Sequence, residues 1–203
     1  MKICLLDVDG VVADFLPHVL HWLHSDVLLE EITSWKFFDH LPECEADHAR
    51  AILCRPEFWS SMPEVAGARE GVRELARGYE IVWVTSPWLP CPMWSDVRRV
   101  WLANHFNADP EDVIITSRKD VVRGDIYIDD SYDNVVGWSC RNQTHSQHGI
   151  LFDAIHNRSD RYPIRLYGWE RIKELMDMIS DPADRHSRET GDFFRRSDVW
   201  GPT

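Results

Sequence analysis

Short apolar runs rich in β-branched residues, each closed by polar or turn-forming positions, recur along the chain at Lys2–Leu6, Ile81–Val84, Val113–Thr116, Asp125–Ile128 and Gly149–Phe152. Their length and nearly unbroken hydrophobicity suit strands covered on both faces. Apolar positions return at helical spacing near Ala68–Arg77, Met93–His105 and Trp169–Ile179. Strands and helices in alternation predict an α/β fold, a Rossmann-like parallel sheet flanked by helices. The segment after Asp14 breaks that alternation. It holds helical patterns over Phe15–Leu29 and Ala46–Leu53, separated by the turn-rich, aromatic stretch EITSWKFFDHLPEC. We read residues 15–65 as a small helical cap inserted after the first strand, so that the core comprises residues 1–14 and 66–179. Residues 180–203 are polar and aperiodic and are expected to form a mobile tail.

Several strand ends are polar, and ligands of open α/β sheets bind at the carboxyl ends of strands. The first run closes on Asp7 and Asp9 in LLDVDGVVADF, with Gly10 allowing a sharp turn. Two carboxylates two residues apart on a strand share a face and repel. Such a pair suits nucleophilic and proton-transfer work, one acid attacking and the other moving protons. A calcium loop of the EF-hand type fits poorly, because the preceding element reads as a strand and the twelfth position from Asp7 is His18. The second run, IVWVTSP, ends in Thr85 and Ser86 and is stopped by Pro87. Hydroxyls and backbone N–H groups there suit an oxyanion, although Thr and Ser are also ordinary turn residues. In SRKDVVRGDIYIDDSYDN, Lys119 precedes a strand that ends in Asp129 and Asp130. An isolated lysine is usually solvated, but an ammonium beside these acids would offset charge on nucleophile and substrate alike. Adjacent acids at a strand end also supply hard oxygen ligands for Mg2+. Mg2+ and Lys119 together are expected to offset the repulsion between Asp7 and Asp9.

Composition narrows the classes. The 203 residues carry a net charge of -12 and are 44% hydrophobic, which suits a soluble globular protein and argues against a nucleic-acid polymer or a membrane as partner. The 5 cysteines are scattered without a C-x-x-C pair, so neither a zinc site nor a disulfide framework is expected, and a reducing, cytoplasmic location is. A homodimer is compatible with all of this. The 10 tryptophans are assigned chiefly to packing. His18, His21 and His24 drift around their helix and are expected on the polar surface of the cap.

The order D-x-D-G, then T-S, then K, then D-D, each at or just before a strand end, resembles the haloacid dehalogenase superfamily of aspartate-based phosphatases. DVDGVVADF, TSP, K-x-VV-x-x-D-x-x-IDD and LFDAIHN are similar to the 5′(3′)-deoxyribonucleotidase family of cytosolic and mitochondrial type, over about residues 1–179. The resemblance implies a Mg2+-dependent phosphatase of 5′-nucleoside monophosphates, deoxy and pyrimidine ones preferred. Asp7 would be the nucleophile that forms an aspartyl-phosphate, and Asp9 the general acid and base, its backbone carbonyl also a metal ligand. Asp7, Asp9 and Asp130 would hold the metal, with Asp129 as a supporting acid. Thr85, Ser86 and Lys119 would bind phosphate, and Phe15 would line the nucleoside pocket. Trp35 and Phe58 or Trp59 are candidates to stack on the base, with cap-to-core packing as the alternative. Ser117 and Ser131 stand where the family often has Arg. A different small phosphate ester is the rival substrate. A catalytically idle nucleotide- or partner-binding relative is disfavoured by the intact acid and lysine set.

Overall fold

The computed structural model describes residues 2–142 and 147–180; the predicted tail lies outside them from residue 181 on. Six strands, β1 (Lys2–Leu6), β2 (Tyr79–Thr85), β3 (Val113–Ile115), β4 (Ile126–Asp129), β5 (His148–Phe152) and β6 (Arg165–Leu166), form one sheet in the order β3-β2-β1-β4-β5-β6. Every neighbouring pair is parallel. The fold is α/β, as the alternating pattern predicts. Chain order reverses between β1 and β4, and a crevice opens at such a switch point, outside the carboxyl ends of the strands.

β1 shows why its run is apolar throughout. Leu5 packs on one face with Val84, Tyr127, Val135, Trp138 and Leu151, while Cys4 and Leu6 join the larger cluster on the other face. The smaller cluster is covered by α6 (Tyr132–Arg141), a helix the periodicity did not indicate. α4 (Ala68–Leu75), α5 (Trp94–Phe106) and α7 (Ile172–Ser180) bury Val72, Leu102 and Leu175 in the larger cluster.

The insertion contains α1 (Phe15–Leu23), α2 (Glu43–Ile52) and α3 (Pro56–Ser60). α1 stops short of its predicted end because His24 turns left-handed, at φ 50°, and the Ser25 N–H reaches back to the Leu20 carbonyl at 3.1 Å. The chain leaves and returns side by side: the Asp14 N–H donates to the Pro63 carbonyl at 2.9 Å and the Val65 N–H to the Val12 carbonyl at 2.8 Å. Val19, Phe37, Ile52 and Phe58 of the insertion belong to the same apolar cluster as Leu6 and Ile128 of the sheet. Buried tryptophans donate through their N–H groups, Trp59 to the Leu53 carbonyl within the insertion and Trp101 to the Met62 carbonyl across the junction, each at 2.8 Å. Among the described residues no helix is long and apolar enough to cross a membrane. The five cysteines are free.

Candidate active site

β1 and β4 deliver the first cluster of acids. The Asp7 N–H extends the ladder by donating to the Ile128 carbonyl at 3.0 Å, which brings Asp7 beside the end of β4. Carboxylate oxygens of Asp7, Asp129 and Asp130 all lie within 4.8 Å of one another. At that spacing each pair of charges repels by on the order of 3–4 kcal/mol under a protein-like dielectric. Lys119, only 3% exposed, answers part of this, its Nζ lying 2.5 Å from Asp7 Oδ1 and 2.9 Å from Asp129 Oδ2. Burial alone would lower its pKa, but the Asp129 and Asp7 charges outweigh that and hold the ammonium above the usual lysine range.

One ammonium does not balance three carboxylates. Burial, and then the Asp129 charge, push both Asp7 and Asp130 well above the ordinary carboxylate range, against the pull of Lys119. Asp129 has its lone pairs committed. Its Oδ2 accepts from Lys119, the Tyr127 hydroxyl and the Asn134 amide, and its Oδ1 accepts from the Ser131 N–H at 2.7 Å and from Asn134 at 3.2 Å. Asp7 and Asp130 keep acceptor capacity. Hard oxygens with surplus negative charge fit a small divalent cation, and the donor set therefore accommodates the expected metal.

Asp9 departs from the expected picture. Lys119 does not reach it. β1 ends at Leu6, two residues before Val8, and the Asp9 carboxylate is drawn to Arg98 of α5, whose Nη2 donates to Oδ1 at 2.6 Å. The turn that follows Asp9 rests on Gly10, at φ 78°; a Cβ there would lie 1.9 Å from Asp130 Oδ2. Only glycine admits both that backbone conformation and the approach of Asp130.

The motif LFDAIHN acquires a physical role. Asn157 donates through Nδ2 to the Asp130 and Phe152 carbonyls, at 2.7 Å each, and its Oδ1 accepts from Arg165 at 2.6 Å. His156 Nε2 lies 3.2 Å from the Asp130 carbonyl oxygen, and burial holds its pKa below the usual histidine value. Asn157→Ala is expected to cost about 2–3 kcal/mol by leaving buried carbonyls unpaired, as urea unfolding would measure.

Thr85 ends β2 with its hydroxyl buried and unpartnered, whereas Ser86 is exposed. Ser131, one of the two departures, caps α6 by accepting from the Asn134 N–H, and it lines a cavity of about 240 Å³. That cavity lies between the insertion and the body, with Trp35 on one side and Tyr132, Asp133, His156 and Asp160 on the other. Trp35 is 61% exposed and has a free face.

Phe58 is placed differently from the stacking expectation. It is fully buried, its ring meeting Phe15, Trp22 and Trp59 edge-on, because α3 is wedged between α1 and the body. Trp59 is buried as well and stacks on Phe15 at 5.8 Å, while Phe15 remains partly exposed. His18 is likewise inside rather than on the cap surface, its Nε2 3.0 Å from the Phe58 carbonyl oxygen. Arg98 is the site residue that the sequence patterns did not expose, since 89 positions separate it from Asp9. The tryptophans at Trp94 and Trp101, one helical turn on either side, are its local signal.

Solved structures with this fold include a haloacid dehalogenase-like family hydrolase from Streptococcus pneumoniae, with TM-score 0.55 and 12% identity over 87% of this chain and 98% of that one. A 5'(3')-deoxyribonucleotidase from Bacillus subtilis (strain 168) is 27% identical over 182 residues, 86% of this chain and 98% of that protein. The human 5'(3')-deoxyribonucleotidase, cytosolic type, is 29% identical over 197 residues, 89% of this chain and 96% of that protein. Residues 1–181 match the family described as "5' nucleotidase, deoxy (Pyrimidine), cytosolic type C protein". The chain belongs to this family and is an enzyme of the phosphoric monoester hydrolase class.

Proposed function

We propose that the protein is a Mg2+-dependent phosphatase that releases inorganic phosphate from 5′-nucleoside monophosphates, deoxyribonucleotides and pyrimidines preferred, in the cytoplasm. The observation that carries the reading is the division of the acids: Asp7 and Asp130 converge beside Lys119, while Asp9 is held apart on Arg98. Asp7 and Asp130, with the Asp9 backbone carbonyl, would hold the cation, and Asp129 would anchor Lys119. A bound Mg2+ supplies positive charge to the phosphoryl oxygens and to the crowded carboxylates.

The chain's own groups would then act in two displacements. An Asp7 oxygen attacks phosphorus as the ester P–O bond breaks, and Asp9 gives its proton to the departing 5′ oxygen. In the second, water attacks the aspartyl-phosphate, Asp9 takes the proton from that water, and phosphate leaves with Asp7 restored. Lys119 holds Asp7 in place and offsets the charge of the incoming phosphate, with Thr85 and Ser86 at the neighbouring strand end as further phosphate contacts. Residues 15–65 would serve as the cap that keeps bulk water from the intermediate. Trp35, on the cap side of the cavity, would stack on a base, and the partly exposed Phe15 would line the nucleoside pocket.

The direct test is phosphate release from a panel of ribo- and deoxynucleoside monophosphates with and without Mg2+. Release that needs Mg2+ and is fastest with pyrimidine deoxynucleotides is expected; no release from any of them would overturn the reading. Gly10→Ala is expected to lower that activity by on the order of 10²-fold, because its Cβ displaces Asp130 from the site. Mg2+ is also expected to raise the melting temperature, and more so at about pH 8 than at about pH 5. The sign follows from Asp7 and Asp130, whose folded pKa values are raised. Metal-free stability is full below the unfolded carboxylate pKa and is lost as pH rises through the folded values. A cation relieves that loss.

A further inference from the structure

Arg98 lies in the middle of α5 with none of its surface exposed, a rare position for a guanidinium. Its Cζ lies 5.3 Å from the Trp59 ring, 5.3 Å from the Trp94 ring and 5.6 Å from the Trp101 ring. Nη2 reaches an anion, Asp9 Oδ1, at 2.6 Å; Nε and Nη1 are buried without a hydrogen-bond partner. Cation–π attraction from indole faces recovers part of the desolvation cost. It does not explain the charge, since a buried ion pair seldom stabilises more than apolar side chains of equal volume. If packing alone were served, a leucine or methionine would fill this box better.

The return for that cost lies at Asp9. Held among three indole rings, the guanidinium has one donor directed out of the box, and that donor takes one carboxylate oxygen. Oδ2 is left uncommitted, on a side chain that is 26% exposed. A proton-transfer acid needs this arrangement: a fixed rotamer, one oxygen occupied, and the other free to carry the proton. Lys119 leaves Asp9 alone because it is committed to Asp7 and Asp129. Trp59 belongs to α3 of the insertion, whereas Trp94 and Trp101 belong to α5 of the body. The box is complete only with the insertion seated.

We propose that Arg98 is a positioning residue for Asp9, placed by an indole box that cap and core build together. The inference rests on the phosphatase reading above. In the first displacement Asp9 Oδ2 releases its proton to the ester oxygen as the P–O bond breaks and the Asp7–phosphorus bond forms. In the second it receives a proton from the attacking water as the Asp7–phosphorus bond breaks. Arg98 keeps Oδ1 in both and exchanges no proton itself.

The test compares leaving groups in single turnover, using a nucleoside 5′-monophosphate and its analogue with sulfur at the bridging 5′ position. A thiolate leaves without being protonated, so a fault in acid placement slows the oxygen ester selectively. Arg98→Gln is expected to slow cleavage of the oxygen ester by about 100-fold and of the sulfur ester by less than about 5-fold, with KM changed by less than about threefold. Arg98→Lys, which restores the charge without the planar fork, is expected to fall between wild type and Arg98→Gln on the oxygen ester. Equal losses on the two esters in the folded variant would overturn the inference and leave the phosphatase reading standing. Should Arg98→Gln not fold, by near-ultraviolet circular dichroism of the indoles, Arg98→Lys carries the comparison, and equal losses there overturn it too. A wild-type enzyme inactive on every nucleoside monophosphate would overturn the phosphatase reading itself.

Discussion

Lys119→Met is expected to lower turnover by on the order of 10³-fold, the usual consequence of removing a preorganised donor from a buried anionic site. The same change is expected to destabilise the metal-free protein at neutral pH by about 3–5 kcal/mol, because both of its partners, Asp7 and Asp129, are buried and lose their cation. The stability deficit should shrink in acid. Asp7 and Asp130 already have folded pKa values above their unfolded ones. Loss of the ammonium's charge, which lowers both, raises them further, and neutral carboxyls no longer repel. Urea unfolding of wild type and variant at about pH 5 and about pH 8 should show the gap narrowing at the lower pH. A constant gap would mean that the lysine acts by packing its methylenes and not by its charge.

Asp7→Asn is expected to abolish phosphate release, since an amide offers no carboxylate to attack phosphorus. It should nevertheless leave the fold intact and raise metal-free stability at neutral pH by on the order of 1 kcal/mol. The reason is in the geometry: Asp7 is buried among two other carboxylates, and its charged form is disfavoured there. Removing one charge eases the crowding while Lys119 keeps Asp129. An acid retained for structure would behave in the opposite way, losing stability on replacement. Thermal melts of the two proteins in chelator, beside an activity assay, separate these outcomes.

How far the fold was legible depended on how local each signal was. β1, β4 and β5 are buried on both faces, so their sequences are apolar almost throughout and end sharply where the chain meets the crevice. β6 is two residues long and pairs through Leu166 and Arg165, too short for any period to register. α6 was hidden by its composition: Tyr132, Asn134 and Gly137 interrupt the apolar stripe, and what fixes the helix is the Ser131 cap and the burial of Val135 and Trp138. α1 looked longer than it is because Leu28 continues an apolar spacing that the left-handed turn at His24 had already ended.

The site divides along the same line. Asp7, Asp129, Asp130 and Lys119 were visible because each stands at or next to a strand end, and the parallel sheet gathers such ends on one edge. Distances within that edge are not legible in the sequence: Mg2+ and Lys119 together are expected to offset the Asp7–Asp9 repulsion, and of that pair Lys119 reaches Asp7 alone. The partner of Asp9 comes from α5 through tertiary packing, and tryptophans that looked like ordinary core form its socket. Phe58 misled for a related reason. An aromatic in a cap presents the same sequence whether its face is open, as at Trp35, or used up inside, as at Phe58.

Asp7 is expected to become covalently phosphorylated during turnover. This can be tested by mixing the Mg2+-loaded enzyme with a pyrimidine deoxynucleoside 5′-monophosphate, reducing the mixture with borohydride within the first turnover, and sequencing the tryptic peptides by mass spectrometry. An acyl phosphate is reduced to an alcohol, so residue 7 should be recovered as homoserine, in proportion to substrate and only with Mg2+. Reduction at a different residue, or none while phosphate is still released, would rule out Asp7 as the nucleophile.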